Sequence, residues 1–409
     1  MKALEVHFPG VPSGDRSLVG ALLAQNGRVF FEYAESWLGT GLNLSPFRIP
    51  FRTGVFEHKD RPFGALPGVF EDSLPDGWGR LLMDRHFRSI GREPASVEPL
   101  ERLAWLGDRT MGALTYHPPT GPAGDDTQPF LLEPLARQSR QLLAGTSTQV
   151  LPQLLRAGGS PGGARPKVLV GCTADGQELR SGEDDLPQGF EHWLIKFPGA
   201  EEAADVGAAE YAYSLMARSA GLEMEATRLF ETAEGGRYFG CKRFDRTGNL
   251  RHHVHSFGNL IHADFRIPSC DYLDLLKATA LLTRRHEDVL KAFRWAAFNV
   301  IAHNRDDHVK NFAFILDARS GEWRLTPAYD LSFSSGPAGE HSMTVVGEGR
   351  APGPAHLLRL ARERDLPRAE AMAILDQVRA AVALWPSFGR LAGLSKARIQ
   401  AIGRVLANP

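Results

Sequence analysis

Asp306 and Asn311 stand five residues apart in the stretch Asn304-Arg-Asp-Asp-His-Val-Lys-Asn311. Phosphoryl-transfer loops use this spacing between a carboxylate that takes a hydroxyl proton and an amide that holds a metal ion. Downstream, Phe312-Ala-Phe-Ile-Leu316, the turn-like Asp317-Ala-Arg-Ser-Gly321 and Trp323-Arg-Leu-Thr326 lead to Tyr329-Asp330. Two short strands and a turn would return Asp330 to the side of Asn311. A hard cation such as Mg²⁺ takes few protein ligands and completes its octahedron with phosphate and water, so two oxygens from the ends of one hairpin suit it. A polar loop after a helix, followed by an acidic turn, has the same spacing. This stretch alone leaves both readings open.

Residues further upstream belong to the same chemistry. Glu191-His-Trp-Leu-Ile-Lys-Phe197 reads as a strand, with Trp193, Ile195 and Phe197 alternating with Leu194 and Lys196. A lysine among apolar neighbours needs an anionic partner or a route to water. The helix expected over about 203–220 carries Glu210 near its middle. A strand lysine and a glutamate from the next helix hold the ATP α- and β-phosphates in protein kinases. A snorkelling lysine and a solvated glutamate explain the pair equally well when it is taken alone. Before them, Gly158-Gly-Ser-Pro-Gly-Gly-Ala-Arg-Pro-Lys167 packs four glycines and two prolines into ten residues. Its backbone N–H groups could approach a phosphate closely, with Arg165 or Lys167 adding charge. It lacks the GxxxxGK[ST] spacing and is not a P-loop, and a plain connecting loop has the same composition. The order Gly-rich loop, Lys196, Glu210, Asp306, Asn311, Asp330 is much harder to obtain by accident than any member of it.

The elements that position these groups can be read in outline. Lys2–Phe8, Ser17–Leu23 and Arg28–Tyr33, the last two joined by the Asn26-Gly27 turn, form a small antiparallel sheet or partial barrel. Helices are expected from Trp78 to Ile90, after the Asp76-Gly77 turn, and over Pro99–Leu106, 131–143 and 148–156, with a linker at 117–129. A hairpin around Ala233-Glu-Gly235 leads to Lys242-Arg-Phe244, where the interlobe connection of a two-lobed kinase would fall. Helices over Cys270–Leu282 and His286–His303 follow, and the second mounts the Asp306 loop on a packed element. Ser342–Gly347 reads as a strand, and helices near 354–363, 367–384 and 395–406 close the chain. Four histidines, at 252, 253, 255 and 262, lack metal-ligand spacing and read as satisfied or solvent-facing.

With 409 residues, 43% hydrophobic and 23% charged, the chain has the composition of an ordinary globular protein of two or three domains. Its formal net charge of -1 supplies no global field toward DNA or membrane. The cysteines at 172, 241 and 270 are odd in number and far apart, which suits a reducing cytosol. No secretory h-region and no run of transmembrane length is present in the sequence, so a cytoplasmic location is expected.

On these residues the chain resembles the HipA family, the kinase toxins of bacterial type II toxin–antitoxin pairs. Residues 17–80, including Leu74-Pro-Asp-Gly-Trp78, resemble the family's N-terminal subdomain, and residues 158–330 resemble its kinase core. The family's D-x-H-x-K-N loop matches Asp306-Asp-His-Val-Lys-Asn311, which implies Asp306 rather than Asp307 as the base and Asn311 as a metal ligand. Asp330 matches the later metal-binding aspartate, Lys196 the ATP lysine and Glu210 the helix glutamate. The hinge motif matches Lys242-Arg-Phe-Asp-Arg246, with lysine where an acidic residue is usual, and the mobile Gly-rich loop matches Ser160 to Lys167. Ser160 stands at the serine that some members autophosphorylate.

The resemblance implies an α+β, two-lobed protein-kinase-like fold with ATP and Mg²⁺ as cofactors. Its parts are a HipA-like N-terminal subdomain over 1–110, the rest of the N-lobe over 111–241, and a hinge with a mostly helical C-terminal lobe over 242–409. Lys167, Lys196, Glu210, Lys242, Arg243, Phe244 and His308 would serve the nucleotide, with His308 bracing the loop through its ring nitrogens. Asp306 and Lys310 would act on the reacting atoms. The partners implied are a protein carrying a Ser/Thr acceptor, aminoacyl-tRNA synthetases in characterised members, and a small helix-turn-helix antitoxin through which alone DNA would be met. The segment His255-Ser-Phe-Gly-Asn-Leu-Ile-His-Ala-Asp-Phe265 departs from the best-known toxins and resembles a branch of HipA-like proteins. The rival is a kinase-derived, non-catalytic binding or repressor subunit, which need not keep the acidic groups.

Overall fold

The computed structural model describes residues 3–9, 16–60, 62–122, 130–159 and 162–407. Contacts divide the chain into two units: residues 1–204, 228–255 and 316–321 in the first, and residues 205–227, 256–315 and 322–409 in the second.

The first unit holds two five-stranded sheets. Strands β1 (Leu4–Phe8), β2 (Ser17–Gln25), β3 (Arg28–Tyr33), β4 (Val55–Glu57) and β5 (Thr115–His117) are ordered β4-β3-β2-β1-β5. In β1 and β3 the alternate residues Leu4, Val6, Phe8, Val29, Phe31 and Tyr33 are buried, as one sheet face packed on a core requires. Asn26 and Gly27 both take positive φ, 51° and 70°, the pattern of a two-residue turn matched to strand twist. Helix Gly77–Ser89 buries Trp78, Leu82, Met83 and Phe87, and helix Pro99–Leu106 starts on its own proline. The second sheet comprises β6 (Lys167–Thr173), β7 (Leu179–Ser181), β8 (Phe190–Lys196), β9 (Thr227–Glu231) and β10 (Arg237–Lys242), ordered β7-β6-β8-β10-β9. β8 is the central strand and pairs antiparallel with both β6 and β10.

The second unit is mostly helical. Helices Val206–Ser219, Tyr272–Thr283, His286–Ile301, Pro354–Glu363, Arg368–Ala383, Trp385–Leu391 and Lys396–Leu406 accompany the neighbouring short strands Ala313–Leu316 and Trp323–Leu325. The helix over 286–301 carries Glu287 and Asp288 in its first turn, where the helix dipole favours them, and buries Val289, Ala292, Phe293, Ala296, Ala297 and Val300. Its end is fixed by Tyr213, whose hydroxyl donates to the Ala302 carbonyl at 2.7 Å.

One local expectation fails, and one element is unforeseen. Ser342–Gly347 is not a strand; it makes isolated bridges, Asp271 to Thr344 and Val345 to Glu348, because Val346 at φ 54° turns the chain back on itself. The stretch after residue 384, given no element from the sequence, forms the helix Trp385–Leu391, opened by a proline in its first turn and anchored by Trp385, whose indole N–H donates to the Ile399 carbonyl at 3.0 Å. Among the described residues no helix is long and apolar enough to cross a membrane.

Candidate active site

In the second unit the chain leaves helix His286–Ile301 and enters the Asp306–Asn311 loop. Asp306 is exposed, while Asn311 is buried. The Asn311 side-chain amide donates to the Asp306 carbonyl at 2.6 Å, which turns its amide oxygen into the group that could coordinate a cation. Strand Ala313–Leu316 starts two residues on, and Thr326 N–H donates back to the Ala313 carbonyl at 3.0 Å. The returning strand therefore delivers Tyr329 and Asp330 to the loop. The Tyr329 hydroxyl donates to the Lys310 carbonyl at 2.8 Å, tying the residue before Asp330 to the residue before Asn311. Asp330 itself sits at φ 56°, a conformation that L-residues seldom adopt and that gathers at functional sites. Oxygens carried at the two ends of one hairpin would suit an Mg²⁺ ion that keeps the rest of its shell for phosphate and water.

The loop is braced by groups that motif spacing does not single out. Asp307 is fully buried; its Oδ2 accepts from the Tyr272 hydroxyl at 2.7 Å and from His341 Nδ1 at 2.8 Å, and its Oδ1 from the Ser342 N–H at 2.8 Å. Asn299 Nδ2 donates to the Tyr272 hydroxyl at 3.0 Å, and Asn304 Nδ2 to Asn299 Oδ1 at 3.0 Å. Burial, with the Asp307 charge beside it, pushes the Tyr272 phenol well above its ordinary pKa. Two asparagines at an otherwise apolar helix end were the available signal for this network. His341 gave none. The His308 ring packs on Phe265, centroids 5.4 Å apart, and its buried Nδ1 has no hydrogen-bond partner among the described residues. Asp307 braces the loop through the bonds given above.

In the first unit Lys167 and Lys196 stand directly opposite each other on β6 and β8, and Phe239 flanks Lys196 on β10. Opposed residues share a sheet face. Both lysines are buried, at 4% and 8% exposure, with Lys196 Nζ 5.7 Å from the Phe239 ring centroid. Two lysines on one buried face would suit an anion such as a polyphosphate. Lys167 Nζ also donates to the Gly162 carbonyl at 2.5 Å, so the lysine holds the Gly-rich loop.

The Leu74-Pro-Asp-Gly-Trp78 motif holds the same loop. Asp76 accepts the Gly163 N–H, the Trp78 N–H donates to the Gly163 carbonyl at 3.0 Å, and the Trp78 indole donates to the Lys167 carbonyl at 3.1 Å. Gly77, at φ 35°, lies so close that a Cβ there would stand 2.6 Å from Ala164 Cα. Ser160 lies outside the described residues. Glu210, 1% exposed on helix Val206–Ser219, belongs to the second unit and Lys196 to the first.

The expected hinge begins at the end of β10. Lys242 Nζ donates to Glu191 Oε1 at 2.6 Å, so the acidic group missing from the motif stands on the neighbouring strand. Arg243 is buried and paired in two bonds with Asp245, at 2.9 and 2.7 Å, while its N–H donates to the His192 carbonyl at 2.9 Å. The Arg243 side chain and N–H are thereby committed to the protein. Phe244 is half-buried. Arg246 also pairs with Asp245, at 2.7 Å, and donates to the carbonyls of Gly112 and Thr110. Burial alone would raise the Asp245 pKa, but Arg243 and Arg246 hold it far below the ordinary carboxylate range. His253 Nε2 donates to the Leu44 carbonyl at 3.0 Å and His255 Nδ1 meets Asp72 at 2.6 Å, so these two histidines are structural. No group of three metal-ligating side chains occurs among the described residues.

The chain is 28% identical to the putative kinase Y4mE of Sinorhizobium fredii, over 75% of this chain and 72% of that one. Its fold is similar to that of a chain in the complex of HipA, HipB and operator DNA from the Shewanella oneidensis MR-1 toxin–antitoxin system, at TM-score 0.71 and 17% identity, covering 99% of this chain and 95% of that one. The fold is thus the two-lobed, kinase-like one: an N-terminal β-sheet subdomain followed by a mostly helical C-terminal region. The HipA N-terminal domain family matches residues 13–117, and the HipA-like C-terminal domain family matches residues 159–385, over half of the chain. The chain belongs to the HipA family.

Proposed function

We propose that this protein is an ATP- and Mg²⁺-dependent protein serine/threonine kinase, the toxin of a HipA-like toxin–antitoxin pair. The observation that carries the reading is the Tyr329–Lys310 bond, which joins the segment bearing Asp330 to the loop bearing Asp306 and Asn311. Lys196, with Lys167 opposite it, takes the ATP phosphates, and Glu210 orients Lys196. Lys242, Arg243 and Phe244 address the adenine, Arg243 through its carbonyl. Asn311 and Asp330 hold Mg²⁺, which neutralises phosphate charge when bound. Asp306 accepts the proton of the acceptor hydroxyl and aims its oxygen, and Lys310 faces the negative charge of the transferring phosphoryl, with His308 beside it. Ser160 is the candidate for autophosphorylation.

The acceptor is a Ser or Thr on a protein, and family resemblance points to a translation protein such as an aminoacyl-tRNA synthetase. Resemblance likewise supplies a helix-turn-helix antitoxin as restraining partner, with DNA reached through it. The test is incubation of the purified protein with Mg²⁺–ATP and a cell lysate, followed by phosphosite mapping. New Ser/Thr phosphosites that vanish without Mg²⁺ are expected. Their absence from every protein, this chain included, would replace the kinase reading with that of a non-catalytic binding or repressor subunit.

A further inference from the structure

Phe265 stands in a loop that is itself docked on the catalytic loop. The short helix Phe257–Ile261 is capped by Ser256, whose hydroxyl accepts the Asn259 N–H, and its Phe257 N–H donates to the Phe312 carbonyl at 2.8 Å, just beyond Asn311. Gly258 lets this helix approach Val309: a Cβ there would stand 2.6 Å from Val309 Cγ2. His262, at φ 60°, ends the helix, and the Ala263 N–H returns to the Gly258 carbonyl at 2.8 Å. The chain then runs into Asp264 and Phe265.

At that point three side chains meet one ring. Lys310 Nζ lies 5.0 Å from the Phe265 ring centroid, the His308 ring packs against it, and Arg266 Cζ lies at 5.8 Å. Arg266 is tied by two bonds to Asp264, at 2.8 and 2.9 Å, which neutralises its charge locally. Lys310 brings a second cation, and it interacts electrostatically with Asp264 as well. Its four-carbon stem is flexible, and an ammonium useful to a developing phosphoryl charge must be held in place beforehand. An aromatic face within about 6 Å contributes to this by electrostatic attraction.

We infer that Phe265 is a positioning residue: its ring holds the Lys310 ammonium at the catalytic loop. The inference rests on the kinase reading for its consequence, though not for the contact itself. It also gives the 255–265 segment a task in the reaction.

Phe265→Leu is expected to lower kcat by about 3- to 30-fold, the range of a partly desolvated cation–π contact, with KM for ATP changed less than about twofold. Phe265→Tyr, which keeps a π-face, should restore most of the rate. In a Lys310→Met background, Phe265→Leu should cost less than about twofold more, since the cation it positions is gone. Wild-type kcat in Phe265→Leu, or an equal loss in both backgrounds, would overturn the inference. A contact readout independent of catalysis is the NMR shift of the Lys310 CεH₂ protons in lysine-labelled full-length protein. The ring current should move them upfield in the wild type and in Phe265→Tyr, and the shift should vanish in Phe265→Leu. Unshifted wild-type protons would sink the inference whatever the activity, whereas shifted protons in a protein that transfers no phosphate would sink only the kinase reading.

Discussion

The Tyr272 hydroxyl donates to Asp307 Oδ2 at 2.7 Å, joining the first turn of helix Tyr272–Thr283 to the residue beside the exposed Asp306. Two adjacent aspartates thus do opposite things. Asp306 faces solvent, while Asp307 is fully buried and accepts from Tyr272, His341 and the Ser342 N–H.

Asp307→Asn should therefore destabilise the second unit. An amide offers one acceptor oxygen where the carboxylate offers two, and its NH₂ would confront a donor. A loss of about 2–4 kcal/mol is expected, the range for breaking a buried, charged hydrogen-bond network. Chemical denaturation measures it. A midpoint equal to wild type would show that the network contributes nothing to stability.

Gly77→Ala should loosen the clasp on the Gly-rich loop. The new Cβ would meet the Ala164 backbone, and φ at this position is 35°, so the loop or the turn must shift. Titration should find Mg²⁺–ATP bound about tenfold more weakly, roughly 1.4 kcal/mol, with the circular dichroism spectrum retained. Unchanged affinity would detach the Leu74–Trp78 motif from nucleotide binding.

Acid should weaken the first unit well above the carboxylate range. Burial, with His255 adding to it, lowers the His253 pKa from 6.5 to about 4. The unfolded chain then binds a proton between those values that the folded chain refuses, so stability falls as pH drops from about 6.5 toward 4. The contribution is on the order of 3 kcal/mol at the lower end. His253→Gln should flatten the dependence of Tm on pH across this window. An unaltered slope would mean that other groups carry it.

Much of the fold could be read in the sequence because local rules agree with the packing. Asn26-Gly27 specifies its turn, Pro99 opens a helix that ends at Leu106, and the helix over 286–301 shows its apolar side plainly. The helix at Trp385–Leu391 was hidden by its proline and short length, and Val346 took a backbone conformation that no β-branched residue advertises. Within the candidate site, spacing isolates Asp306, Asn311 and Asp330 because a hairpin can join them. It says nothing about burial, so the difference between Asp306 and Asp307 was invisible, as was His341, which arrives from 34 residues away. The Asp76–Trp78 clasp spans 87 positions to Gly163, a distance at which a single sequence carries no pairing signal.

The most direct test of the account is the phosphorylation rate of Asp306→Asn. The substitution keeps the size of an exposed side chain, so thermal melts should match wild type. Mg²⁺–ATP affinity should stay within about twofold, because Lys196, Asn311 and Asp330 are untouched. Loss of the base should lower the initial rate on a mapped protein substrate by roughly 10²–10⁴-fold. A folded Asp306→Asn protein that phosphorylates the same site at the wild-type rate would contradict the assignment of Asp306 as the catalytic base.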